Sequence, residues 1–308
     1  MTRAATLSRL IFAERRVTPI RADRERTLVL PDGRRLGVAE FGERAAVPIV
    51  YLHGFLGSRL EPGAADGRTS GIIAFDRPGY GGSDLQPAPS LAAFGQDIAA
   101  GLDLLGIERC VLVGASAGAP YAVAAALALG PRVAKLVLAA GIGGPEVLLG
   151  AGGAARVIVR LAGQALAGRL LHGWFRLARR TGLDRTLLGI AISTEFASLA
   201  RLGIETATVH ERLLQSLRAG SDRWLRGVLA DARLLTRTWD VDLSRLAPGT
   251  VVIHGTADPA VPAAHAAWYA AHLPAPEIEM VRGQRHLSLC FASVATVERF
   301  AREAALQP

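Results

Sequence analysis

The sequence predicts an α/β fold: a mostly parallel central sheet flanked by helices, with an inserted helical lid. Three observations carry this expectation. Short, nearly continuous apolar runs recur along the chain, as strands do when a sheet is covered on both faces. They alternate with segments whose apolar residues fall three and four apart, the period of a helix. One long stretch, roughly Gly144 to Thr238, keeps the helical period throughout before strands resume.

Taken in order, Arg26 to Leu30 and Arg34 to Phe41, joined by Pro31, Asp32 and Gly33, have the pattern of a β-hairpin. Pro48 to Gly54 and Gly71 to Gly79 read as buried strands. Leu91 to Gly106 has helical spacing, with Ser90 offering an N-cap. The apolar run from Cys110 to Val113 is of strand type, and the alanine-rich Ala119 to Gly130 is a helix that tolerates Pro120 in its first turn. Ala134 to Gly141, Gly249 to Gly255 and Glu277 to Val281 complete the strands. The expected organisation is a core of residues 1–143 and 239–308 and a lid of residues 144–238. In the lid, Val157, Leu161, Leu166, Leu170, Leu171, Trp174, Phe175 and Leu177 form apolar faces, and arginines fill the others. Such a block serves as plain amphipathic packing, as a substrate gate or as a membrane-surface element. Its several short helices favour a gate over an anchor.

Composition narrows the function. With 308 residues, half of them hydrophobic and 20% charged, the chain is globular and able to bury one sizeable core. The net charge of +8 invites a nucleic-acid reading, but Lys135 is the only lysine, the arginines form no run of five, and aromatic residues are just 6%. A phosphate groove or stacking platform concentrates both residue types, so no nucleic-acid partner is expected. No apolar run nears the roughly 18 residues of a membrane span. The N-terminal patch Leu10 to Ala13 is too short for a secretory signal. Cys110 and Cys290 make no disulfide framework. A cytoplasmic, reduced protein with no stable membrane anchor, no metal and no cofactor is expected, and the oligomeric state is left open.

The chemistry centres on Gly114-Ala115-Ser116-Ala117-Gly118. The Gly-x-Ser-x-Gly pattern alone is weak evidence in a chain with 34 glycines, and a glycine-flanked turn explains it equally well. Its context is informative: a strand enters and a helix leaves. A tight strand-to-helix turn forces an unfavourable φ on the serine and excludes bulk two residues to either side. A helix beginning at Ala117 also aims N–H groups at developing negative charge.

A serine nucleophile needs a base oriented by a third group. Of the seven histidines, His53 and His254 precede glycines at strand ends and suit turns. His172 and His210 fall in the lid, and His265 and His272 share a helix expected at the surface. His286 follows the last strand and opens the last helical segment, at the sheet edge where a base could reach Ser116. Asp258, in the loop after Val251 to Ile253, is the best orienting acid, although an Asx-turn or helix N-cap would also use it. Asp240 and Asp242 precede that strand and belong to its opposite end.

Together "LHGFLGSR", "FDRPGYGGSD", "GASAGAPYA", "WDVDL", "HGTADPAVP" and "GQRHLSL" resemble, in content and order, the lidded, esterase-like α/β-hydrolase superfamily. The likeness covers about residues 26–143 and 239–305. It implies the α/β-hydrolase fold, with Ser116 as nucleophile, Asp258 as acid and His286 as base, in the chain order stated for that fold. It further implies an oxyanion hole from the N–H groups of Phe55 and Ala117, and architectural roles for Asp76 and Arg77.

The resemblance also bounds the reaction. Relatives that open epoxides or displace halide use an aspartate where Ser116 stands, and Tyr51, Tyr80, Tyr121 and Tyr269 all lie outside the lid. The expected activity is a serine hydrolase forming an acyl-enzyme on a small, largely apolar carboxylic ester, thioester or lactone. Leu56, Ala115, Val261 and Leu287 are its expected substrate-binding residues. Amide hydrolysis by an aminopeptidase of the N-terminal-proline type, using lid acids such as Glu195, Glu205 or Glu211, stays open. So do C–C bond hydrolysis and a ligand-binding pseudo-enzyme.

Overall fold

Side chains of successive strand residues point to opposite faces, so each apolar run must feed two cores at once. A computed structural model describes residues 17–64, 71–150, 156, 160, 165–221 and 224–306. The patch Leu10 to Ala13, and Val157 and Leu161, fall outside the described residues. The strands are β1 (Arg24–Val29), β2 (Arg35–Phe41), β3 (Ile49–Leu52), β4 (Ile72–Phe75), β5 (Cys110–Ala115), β6 (Val133–Ala139), β7 (Val251–Gly255) and β8 (Glu277–Val281). They form one sheet in the order β1-β2-β4-β3-β5-β6-β7-β8. The β1–β2 hairpin is antiparallel and pairs antiparallel with β4; every other pairing is parallel.

On one face Val50, Leu52, Phe75, Leu112 and Leu138 pack against α1 (Leu91–Leu104) and α2 (Ala119–Leu129). On the other, Ile49, Ile72, Val111, Val113 and Val137 meet α10 (His286–Ala292) and α11 (Val294–Ala305). The Ser90 hydroxyl accepts the Ala93 N–H at 3.0 Å and caps α1. Between β6 and β7 the chain forms α3 (Pro145–Gly150), α4 (Ala165–Thr181), α5 (Leu183–Ile192), α6 (Phe196–Arg201), α7 (Thr206–Ser221) and α8 (Trp224–Leu235). No helix among the described residues is long and apolar enough to cross a membrane. Both cysteines are free.

Two expectations need correction. The segment after Ser116 opens as a 3-10 turn over Ser116–Gly118, and the α-helix begins at Ala119 instead of Ala117. His265, on α9 (Ala264–His272), is fully buried and not at the surface. Its Nδ1 accepts the Gly143 N–H at 2.9 Å, supplying an acceptor to a backbone donor that burial would otherwise orphan. Burial, with His254 nearby, pushes its imidazole down to about 4.

Candidate active site

Ser116 leaves β5 with a φ of +52°, a conformation that is uncommon for any residue bearing a Cβ. The glycines around it are required by close approach. A Cβ on Gly118 would stand 2.2 Å from the Leu52 carbonyl oxygen, and one on Gly114 would stand 2.7 Å from Ala119 Cα. The turn is thus wedged against β3 and α2, and the strain at Ser116 is held by its surroundings.

Three parallel strands end at the same edge, and the loops after them bring Ser116, Asp258 and His286 together. His286 Nε2 lies 3.0 Å from Ser116 Oγ, and its Nδ1 lies 2.7 Å from Asp258 Oδ2. Asp258 Oδ1 accepts the N–H groups of Ala260 at 2.8 Å and Val261 at 2.9 Å. Asp258 therefore also makes the Asx-turn its sequence context allowed. Burial raises its carboxyl, but the His286 hydrogen bond and charge and these two N–H groups outweigh it, leaving the group below its ordinary value. Burial likewise lowers the imidazole of His286, yet Asp258, then Glu195 and Glu61, hold it above the ordinary histidine value of 6.5. The pair is arranged as a carboxylate that orients and stabilises an imidazolium.

The loop carrying Phe55 is fixed through both backbone groups of Gly54. Glu61 accepts the Gly54 N–H at 3.2 Å to either oxygen and the Tyr51 hydroxyl at 2.6 Å. The Gly54 carbonyl lies 2.9 Å from Arg77 Nη2 and 2.9 Å from His53 Nδ1. Because His53 Nε2 accepts the Arg77 N–H at 3.1 Å, the ring proton sits on Nδ1 and donates to that carbonyl. A trans peptide places its N–H opposite its C=O, so holding the Gly54 carbonyl on Arg77 and His53 turns the Phe55 N–H away from them. A Cβ on Gly54 would lie 3.4 Å from Ser116 Cβ, so this loop backs onto the serine. Leu56 follows with a φ of +65°. Arg77 is buried and pairs with Asp231 of α8 at 2.8 Å; Asp231 also accepts the hydroxyls of Tyr80 and Tyr121.

Ser116 and His286 open into a cavity with about 1300 Å³ of empty space, open mouth included. Phe55, Leu56, Ala115 and Leu287 line it, as do Leu188 and Ile192 of α5 and Leu213 and Leu217 of α7. Val261 does not. It is buried in the core, donating its N–H to Asp258 and accepting from His254 Nε2 at 2.8 Å, so it holds the Asp258 loop rather than the cavity wall. The Ala117 side chain is buried as well. Of the acids considered for a substrate amine, none lines the cavity. Glu195 faces Ser288 N–H and Arg285, Glu205 accepts from Thr208, and Glu211 pairs with Arg185. The carboxylate that does line it, Glu61, opens a 3-10 turn over Glu61–Ala64; no sequence pattern marks it, and only its distance of seven residues from Gly54 links the two.

Residues 49–300 match the family described as Alpha/beta hydrolase family. No curated protein matches the chain. Among solved structures, it is similar to an esterase, EaEST, from Exiguobacterium antarcticum, with TM-score 0.62 and 16% identity over 91% of this chain and 99% of that one. It is also similar to the esterase RhEst1 from Rhodococcus sp. ECU1013, with TM-score 0.64 and 22% identity over 91% and 99%. An enol-lactonase from Burkholderia xenovorans LB400 aligns with TM-score 0.59 and 18% identity over 90% and 100%. At such identities the likeness speaks to the fold.

Proposed function

The chain belongs to the alpha/beta hydrolase family, and from that premise we propose that it is a serine hydrolase that forms an acyl-enzyme on a largely apolar carboxylic ester, thioester or lactone. The observation that carries this reading is the continuous relay from Asp258 through His286 to Ser116, at 2.7 and 3.0 Å, opening into an apolar cavity. Ser116 Oγ attacks the acyl carbon while its proton passes to His286 Nε2. The N–H groups of Phe55 and Ala117 receive the oxyanion. Collapse of the intermediate expels the alcohol, which takes the proton from His286. Water then attacks the acyl-enzyme by the same route, returning Ser116 and releasing the acid. The helices of residues 144–238 act as the lid, α5 and α7 supplying apolar wall above the serine.

The aminopeptidase reading loses support because Glu195, Glu205 and Glu211 are engaged elsewhere. Butyrate and hexanoate esters of an activated alcohol should therefore turn over faster than proline arylamides. The reverse ranking would transfer the assignment to the aminopeptidase.

A further inference from the structure

The cavity does not stop at the serine. It runs beneath the sheet to Ile49 and Ile72, the first residues of β3 and β4, and passes between Val113 of β5 and Val297 of α11. Ile49 is in register with both Ile72 and Val111, and Ser116 lies five residues beyond Val111. At about 3.3 Å per residue the passage is roughly 16 Å deep. Among the described residues its far end is blind, with Ile49, Ile72 and Val297 all buried.

The wall offers a ligand almost nothing but hydrocarbon. Its polar side chains other than Ser116 and His286 are already engaged within the protein. The Tyr51 hydroxyl bonds Glu61 at 2.6 Å, and Glu61 holds the Gly54 N–H. Ser216 Oγ meets Ser58 Oγ at 2.9 Å, and Ser293 Oγ donates to the Cys290 carbonyl at 2.9 Å. The partly buried Cys290 thiol behaves as a small hydrophobe. A chain entering here loses no hydrogen bond to the wall and gains none; its affinity comes from apolar area removed from water.

We infer that this passage is an acyl-chain tunnel and that the substrate carries an unbranched acyl group of about ten to twelve carbons, longer than the small acyl group the sequence suggested. The length follows from about 1.3 Å of advance per carbon in a staggered chain of roughly 1.5 Å bonds. The blind end selects the acyl side over the alcohol side. The alcohol departs first and needs an open path, whereas the acyl group stays covalently attached through both steps. This inference rests on reading Ser116 as the nucleophile, so its test includes a measurement that needs no turnover.

The experiment compares kcat/KM for a series of activated esters from acetate to hexadecanoate, each below its micelle concentration. The ratio should rise about two- to fourfold per methylene, reach its maximum at decanoate or dodecanoate, and fall beyond tetradecanoate. Ile72→Trp, which fills the blind end, should lower the dodecanoate-to-butyrate ratio at least thirtyfold; Ile49→Phe adds less volume and serves if the tryptophan variant does not fold. In parallel, calorimetry on the Ser116→Ala protein should give dodecanoate at least tenfold tighter binding than butyrate, with the preference lost in the filled variant. A maximum at acetate or butyrate, or a ratio unmoved by filling, overturns the tunnel. Equal binding of the two acids overturns it whether or not any ester is hydrolysed, while absent turnover with dodecanoate still preferred faults the nucleophile alone.

Discussion

At the scale of single residues, the base strength of His286 depends on which carboxylate holds its ring. Asp258 accepts from its Nδ1 at 2.7 Å, whereas Asp240 accepts the Leu91 N–H at 3.0 Å at the first residue of α1, and Asp242 accepts the Ser244 N–H at 3.0 Å. Asp258→Asn should cut kcat on an activated ester by about 10³ to 10⁴, the scale of a histidine held in the wrong tautomer. Asp240→Asn, which keeps a capping oxygen, should change it by less than about threefold. The pH profile follows in sign. His286 acts as a base only when neutral, and its imidazole is held above 6.5 chiefly by Asp258 against the pull of burial. So kcat/KM should rise with pH through an inflection above 6.5, and the inflection of Asp258→Asn should move down. Equal damage from Asp240→Asn, with circular dichroism unchanged, would show that the wrong acid had been chosen. The sequence made these three residues legible because each follows a strand at one sheet edge and each sits in a distinctive motif. Glu61, His53 and Arg77 were not legible as one clamp on Gly54, because their meeting depends on loop closure that no local pattern encodes.

At the scale of elements, the strands and α1 could be read from apolar runs and a serine cap, since burial on both faces leaves little choice of residue type. Their ends could not. The strand expected over Pro48 to Gly54 stops at Leu52, and the Gly54 backbone N–H and carbonyl are taken by Glu61 and the Arg77 guanidinium instead of a neighbouring strand. Nor could the inward face of α9 be read from its alanines; it carries the buried Tyr269, whose hydroxyl donates to the Ile142 carbonyl at 2.6 Å, and His265, which accepts the Gly143 N–H. The junction of β3 with the serine turn gives a direct check. Gly118→Ala would press a Cβ to 2.2 Å from the Leu52 carbonyl, and backbone cannot give way as a side chain can. Urea unfolding should show a loss of about 1–3 kcal/mol. Gly173→Ala, on α4 where a Cβ meets nothing within 4 Å, should be neutral or stabilising by up to about 1 kcal/mol. Equal stability of the two variants would mean that the serine turn is not wedged as described.

At the scale of the molecule, one buried cation joins the parts. Arg77 lies between the rings of Tyr80 and Tyr121, each 4.9 Å from its guanidinium carbon. It contacts the carbonyls of Gly54 and Ala117 and pairs with Asp231 of α8. The inserted helices are thereby tied to the loop and turn that flank Ser116. This connection was invisible in sequence because Asp231 lies more than a hundred residues from every partner it joins. The run of helices between β6 and β7 was legible, since the helical period breaks the alternation of strands. The proposed function rests on one atom, Ser116 Oγ, as the group to be acylated. The direct measurement is labelling with a fluorophosphonate followed by peptide mass spectrometry. The expected result is a single adduct on Ser116, slowed in Asp258→Asn and absent in Ser116→Ala. An adduct on another serine, or undiminished labelling of Ser116→Ala, would contradict the account.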